Sequence, residues 1–340
     1  MQQEEKEMVW GQCIDDLVNL DVPGRKATQI LYPLAREKFK EPLCLTAARL
    51  IKERVQRGNV FFIATGFPNR PAITSLVEET DGPPGAAAIA RAVLLGLGGV
   101  PIVIVEDWIV ENMSRVLTAA GLRVLSPDEA IAAIDSIGPL RAAAVIGFPT
   151  DVEEAKKRAK ELIDKYKPAT ILTVEKAGMN EMGQLHGSRG NNIGEYHAKI
   201  DYLILEAKKR KIATIGIGDG GNEIGMGVIQ EGLWKSTIPY MKKCMCGCGG
   251  GLAPTTPVDV LITASVSNFG AYGIAACLAI LLKNPDVLHD ATVEETILRG
   301  TINGSFIDGT TGLTNGNVDG LSIAANKAYI TLLGQIVRKA

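Results

Sequence analysis

Ile215–Gly227, IGIGDGGNEIGMG, packs six glycines around Asp219, Asn222 and Glu223. The apolar run Ile212–Ile217 leads into it, and the segment Asn222–Leu233 is compatible with a helix, so the stretch reads as strand, glycine loop, helix. Gly216, Gly218, Gly220 and Gly221 allow positive φ and let a ligand approach the main chain. Three of them, Gly216, Gly218 and Gly221, satisfy the G-x-G-x-x-G spacing of dinucleotide-binding loops. That reading fails on two counts. An aspartate inside the loop repels a pyrophosphate, and no acid between Glu231 and Asp259 is available for a ribose hydroxyl. No nucleotide cofactor is expected. Carboxylate and amide oxygens suit a hard divalent cation or a polar substrate. The competing structural reading is a tight turn in which Asp219 or Asn222 satisfies free backbone N–H groups.

Outward from this loop the chain alternates short β-branched runs with alanine-rich helical stretches. Val60–Thr65, Pro101–Asp107, Ala143–Phe148, Ala169–Glu175, Ile212–Ile217 and Asp259–Ser265 read as buried strands. Helices are expected near Gly85–Leu97, Trp108–Ala120, Asp151–Tyr166, His197–Arg210 and Asn268–Leu282. The pattern predicts an α/β fold, a mostly parallel sheet covered by helices on both faces. Before it, Glu4–Leu20, Arg25–Lys38 and Leu43–Arg57 read as an N-terminal helical cap. The expected organisation is therefore a cap over residues 1–58 and an α/β domain over 59–340. Asn303–Gly320 is a polar, glycine-rich loop, a binding lid or a solvated connection, ahead of a last helix over Leu321–Val337.

Composition restricts the function classes. The 340 residues are 46% hydrophobic with 37 glycines, which suits a folded enzyme scaffold. A net charge of −2 with dispersed Lys and Arg leaves no basic face for nucleic acid or anionic membranes. The opening MQQEEKEMVW lacks the features of a signal or transit peptide, and Arg91, Gly96, Gly98, Gly99 and Pro101 interrupt the apolar region Ala86–Val105. The expectation is a cytoplasmic protein without a membrane span. Cys13, Cys44 and Cys277 read as core residues. Cys244, Cys246 and Cys248 stand at alternate positions in CMCGCGGG. Three thiols there could hold a soft metal, but C-x-C-x-C is not a usual structural zinc spacing and no fourth ligand is close, so zinc or redox chemistry is the lesser reading and a glycine-rich connection with incidental cysteines the favoured one.

In parallel sheets chemistry sits beyond the carboxyl ends of the strands. Here the exits deliver Thr65-Gly66 and Glu78–Gly85, then Glu106-Asp107, then Glu175-Lys176 with Asn180, His186 and Arg189, then the glycine loop, and finally Ser265, Ser267 and Asn268. Carboxylates and amides thus converge where the fold expects a site.

Three blocks carry a resemblance: ETDGPPGAAAIARAV at Glu79–Val93, VEKAGMNEMG with HGSRG at Val174–Gly190, and GIGDGGNEIGMG with SVSNFGAYGIAA at Ser265–Ala276. They resemble the C-terminal catalytic-type domain of the D-glutamate cyclase family. The resemblance covers nearly everything from Val60 to the C-terminus and implies conversion of D-glutamate to 5-oxo-D-proline plus water. Cyclisation is intramolecular and needs no ATP; it asks for a base, and for a cation or donors at the γ-carboxylate. On that reading Asp81, Glu175, Asp219, Asn222 and Glu223 would hold Mg²⁺ or Mn²⁺, with Ca²⁺ as a third option. Arg189 would pair with the substrate α-carboxylate, and Asn180, Gly82, Ser267 and Asn268 would complete the substrate site. Lys176 or His186, with Glu175, would exchange protons. His197 and His289 read as helix-surface residues. Two rival readings use the same residues: a metal-dependent phosphatase or phosphoryl-transfer centre, and a metal or amino-acid binding protein without turnover. The expected partner is a small amino acid, with a homo-oligomer possible.

Overall fold

The computed structural model describes residues 3–71, 73–74 and 76–340; Met1 and Gln2, the start of the expected cap, lie outside the described residues. The elements run α1 (Gln3–Val18), α2 (Thr28–Lys38), α3 (Leu43–Arg54), β1 (Val60–Thr65), α4 (Pro83–Leu97), β2 (Val100–Glu106), α5 (Val110–Ala119), β3 (Arg123–Val124), α6 (Pro127–Ala132), β4 (Ala142–Phe148) and α7 (Val152–Tyr166). They continue as β5 (Thr170–Val174), α8 (Asp201–Lys209), β6 (Ala213–Gly218), α9 (Gln230–Lys235), β7 (Val260–Thr263), α10 (Ser267–Leu282), α11 (Ala291–Asn303) and α12 (Ile323–Lys339).

The seven strands form one sheet in the order β3-β4-β2-β1-β5-β6-β7, and every pairing is parallel. The central strands β1, β2 and β5 are buried along their whole length, because a parallel sheet covered on both faces needs apolar side chains in both directions. Helix α4 packs between α10 and α5 on one face, and α7 and α8 pack together on the other, as right-handed crossovers in opposite directions require. The N-terminal helices are continuous with this arrangement: α1 and α3 lie against α10, while α2 and α3 reach β7.

The order places a topological switch between β1 and β5. From β1 the chain moves to β2 on one side, and from β5 to β6 on the other, so the loops leaving the two neighbours diverge and open a crevice at their carboxyl ends.

Several local expectations are corrected. The edge strand β3 and helices α6 and α11 were not anticipated; β3 is only two residues long, too short for a period to show. No helix begins at Asn222. The chain there makes tight turns, and α9 starts only at Gln230. Cys13 is exposed on α1, whereas Cys44 and Cys277 are buried. Both histidines assigned to helix surfaces are buried: His197 packs edge-on against Phe67, and His289 Nε2 lies 2.8 Å from Glu294 Oε2. No helix among the described residues is long and apolar enough to cross a membrane.

Candidate acidic site at the strand exits

Two helix N-termini meet at the crevice and cap each other. Asp81, in the loop before α4, accepts from the backbone N–H groups of Ser267 and Asn268 at the start of α10, both at 2.9 Å. Asn268 Oδ1 in turn accepts from the N–H groups of Gly82 (2.9 Å) and Gly85 (2.8 Å) at the start of α4. The positive end of α10 is therefore occupied by the chain's own carboxylate. Gly82 stands at φ +103°, and a Cβ there would come within 2.6 Å of Thr65 Oγ1, so only glycine lets this loop pass over the exit of β1.

Glu175 leaves β5 in the left-handed region at φ +46°, a conformation costing roughly 1–3 kcal/mol for a residue with a side chain. Its Oε2 accepts from the Ser267 hydroxyl at 2.5 Å. Asp219 leaves β6. Oxygen atoms of Asp81, Glu175 and Asp219 lie within 4.8 Å of one another, and all three side chains are buried. Three carboxylate oxygens converging on one point make this a candidate metal-binding group.

The glycine loop serves Glu223 rather than an open ligand space. Glu223 accepts from the N–H groups of Asp219 (3.0 Å), Gly220 (2.6 Å) and Gly221 (2.8 Å). A Cβ on Gly218 would stand 2.6 Å from Glu223 Oε2. The Asn222 amide donates to the His186 carbonyl at 2.8 Å, and Asn222 is not among the clustered carboxylates. Among the described residues the cation-type cluster thus comprises three of the five expected ligands, with Glu223 shaping the loop behind them.

Two residues not assigned to the site from the sequence complete it, Arg25 and, from the Asn303–Gly320 loop, Asp319. Arg25, in the loop between α1 and α2, pairs with Asp219 and lies 3.2 Å from Asp319, besides donating to the Ser265 carbonyl. Asp319 arrives from the loop before α12. That loop is ordered by Asp308, which accepts from Gly320 N–H at 3.0 Å and the Thr311 hydroxyl at 2.7 Å. It is tied to the Asp81 loop by Thr80 N–H donating to Ile307 O at 2.8 Å and Ile307 N–H donating to Glu78 O at 2.9 Å. The sequence marked this loop as a candidate lid, but nothing in its spacing singled out Asp319 as the residue that reaches the cluster.

The other expected members lie elsewhere. Lys176 is fully buried, bound to Glu106 and to the Gly66 carbonyl at 2.7 Å, with neither partner exposed. His186 turns its ring away from the acids towards Cys244, Cys246 and Cys248; its Nε2 is 3.2 Å from Cys246 Sγ. A fourth ligand is therefore close to the three thiols in space, contrary to the expectation from sequence. Asn180 organises the same region, donating to Gly251 O at 2.8 Å. Arg189 is exposed in the turn beside the cysteine loop, and among the described residues it makes no ion pair.

The electrostatics follow from packing many acids with few bases. Burial first, then the charges of Asp219, Glu223 and Asp81, push the Glu175 carboxyl well above the usual range. Burial followed by Asp319 and Asp219 does the same to Asp81. Glu223 is raised to about 7 by burial and Asp219, against the N–H groups that hold it down. Asp319 is raised to about 7 by burial and Asp219, with Arg25 opposing. Because these folded values stand above unfolded carboxylates at about 4, the folded state retains protons that the unfolded chain has released. That contribution is complete below about pH 4 and is lost as pH rises through 7. The cation-free protein is thus expected to melt several degrees lower at about pH 8.5 than at about pH 6.5. Thermal unfolding by circular dichroism checks this; an equal or higher midpoint at the alkaline pH would refute a proton-bearing cluster.

An α/β protein with a buried carboxylate cluster at the switch of a parallel sheet is the class that fold and site define. The sequence model of the D-glutamate cyclase-like, C-terminal family matches residues 14–334, and the chain belongs to that family. It is 28% identical over 275 residues to the human protein named D-glutamate cyclase, mitochondrial; the alignment covers 79% of this chain and 38% of that relative.

Proposed function

We propose that the chain is a D-glutamate cyclase-type lyase, closing D-glutamate to 5-oxo-D-proline with loss of water. The observation that carries the reading is the buried trio Asp81, Glu175 and Asp219 at the switch crevice, in a chain of this family. In the reaction the α-nitrogen attacks the γ-carboxyl carbon, a C–N bond forms and a C–O bond breaks. The ammonium sheds two protons and the departing oxygen gains two, so the step needs a carrier rather than a net acid or base. Asp319 suits that role: burial and the Asp219 charge raise it to about 7, and its Oδ2 faces only the Arg25 guanidinium, at 3.2 Å. Arg25 is placed to receive the substrate α-carboxylate by exchanging Asp219 or Asp319 for it, a task that the exposed Arg189 is less suited to. A divalent cation such as Mg²⁺ or Mn²⁺, held by Asp81, Glu175 and Asp219, would supply the positive charge that offsets the γ-carboxylate. Ser267 and the N–H groups on Asp81 keep two of these carboxylates oriented when substrate arrives.

The acid-rich lining argues against phosphoryl transfer, since Lys176 is committed to Glu106 and Arg25 faces two aspartates. The test is a chiral-chromatography or NMR time course with D-glutamate, L-glutamate and 5-oxo-D-proline, with Mg²⁺, with Mn²⁺ and with chelator. Product from the D-isomer alone is expected. A rise in melting temperature with D-glutamate but no product would replace catalysis by binding. Asp319→Asn is expected to lower kcat at least about 10²-fold without loss of stability; wild-type kcat in that variant would remove Asp319 from proton transfer.

A further inference from the structure

The thiol cluster is separate from the carboxylates and has its own geometry. Cys244, Cys246 and Cys248 lie at alternate positions, which in an extended strand would space their sulfurs by roughly 6.6 Å. Instead Cys244 Sγ is 3.2 Å from Cys246 Sγ and 3.4 Å from Cys248 Sγ. His186 Nε2 is 3.2 Å from Cys246 Sγ and 3.7 Å from Cys248 Sγ. Convergence needs a chain that bends back; Gly247, at φ +78°, supplies the bend between Cys246 and Cys248, and Gly249, at φ +94°, turns the chain just after them.

We propose that Cys244, Cys246, Cys248 and His186 form a structural zinc site, tetrahedral and closed. With Zn–S of about 2.3 Å and Zn–N of about 2.0 Å, tetrahedral ligands lie about 3.8 Å (S to S) and about 3.5 Å (S to N) apart, close to the separations observed. The S–S distances are too long for a disulfide. They are too short for sulfurs spread around an iron–sulfur cluster, so a single ion fits. The Asn180 amide, 3.6 Å from Cys248 Sγ, adds the kind of N–H donor that zinc-bound thiolates accept. Three thiols and an imidazole, a soft donor set, select zinc over the hard cation proposed for the carboxylates.

The site would act as a clip. It joins the 244–248 loop to the 185–193 segment, beside the backbone contacts Met245 N–H to Gly190 O (3.0 Å) and Cys244 N–H to Gly250 O (2.9 Å). His186 also carries the carbonyl that receives the Asn222 amide, so the clip fixes the back of the glycine loop that bears Asp219 and Glu223. Zinc loss would then loosen the acidic site without removing any of its carboxylates.

The test is metal analysis of the whole chain produced with zinc in the medium and desalted. One zinc per chain is expected, and exchange with Co²⁺ should give the intense visible bands of a tetrahedral site with thiolate charge transfer. Cys246→Ser, at an exposed position, and His186→Asn should each lower retained zinc at least about tenfold, while Cys13→Ser keeps it. The melting temperature of stripped protein should recover with Zn²⁺ and not with Mg²⁺. Asp219→Asn should retain its zinc, so an inactive enzyme and an empty clip are distinguishable results. Folded wild-type protein with only traces of zinc, a weak octahedral cobalt spectrum, or a Cys244–Cys246 disulfide in freshly prepared protein would each overturn the proposal.

Discussion

Asp219→Asn is expected to reduce turnover of D-glutamate at least about 10²-fold, the scale seen when one preorganised electrostatic group is lost from a closed site. The amide keeps the shape of the side chain and can still face Arg25, which retains Asp319 and the Ser265 carbonyl. The fold should therefore survive, and removing one of several crowded negative charges should leave the metal-free melting temperature equal or higher. A second readout ties the loss to this cluster. The Asp219 charge is among the causes that raise Glu175, Glu223 and Asp319, so its removal lets all three titrate lower, and the pH profile of the residual activity should move to the acid side. Affinity for Mg²⁺ or Mn²⁺ should fall in parallel. Normal turnover with normal cation affinity would remove Asp219 from the site.

Lys176→Met is expected to cost about 3–5 kcal/mol of stability, because it leaves Glu106 as a buried charge without its partner. Glu106 keeps one donor, the Ala198 N–H at 2.9 Å, which is too little to compensate. Burial and the Glu106 charge already push the neighbouring Glu78 carboxyl well above its usual range, and losing the nearby ammonium raises it further. The double variant Lys176→Met, Glu106→Gln should recover much of the loss, since removing both charges also removes the desolvation that made the single change costly. Denaturant unfolding of the two variants distinguishes this from a general packing defect: equal losses in single and double variants would mean that the ion pair contributes nothing specific.

Much of the fold was legible because the signals are local. Uninterrupted apolar runs such as VFFIAT mark strands that must be buried on both faces, and their alternation with helices implies parallel pairing. Six of the seven strands were read within one or two residues, and the exit rule led to Asp81, Glu175 and Asp219, which the structure places together. Glu223 and Asn222 were assigned by proximity in sequence, whereas their side chains are spent on the loop's own N–H groups and on the His186 carbonyl. Lys176 follows Glu175 directly yet is buried against Glu106, because neighbouring residues at a strand exit point in different directions.

What the chain determined unaided was therefore the layer architecture and the carboxylates at the strand ends, since both follow from periodicity and from the direction of each strand. Tertiary structure alone decided the membership of the two clusters. Arg25 reaches Asp219 across 194 residues, and His186 reaches Cys246 across 60, with no spacing rule to announce either pair. Such contacts depend on how loops from different crossovers pack over one edge of the sheet, which is set by the burial of the whole core and not by any segment's own preferences.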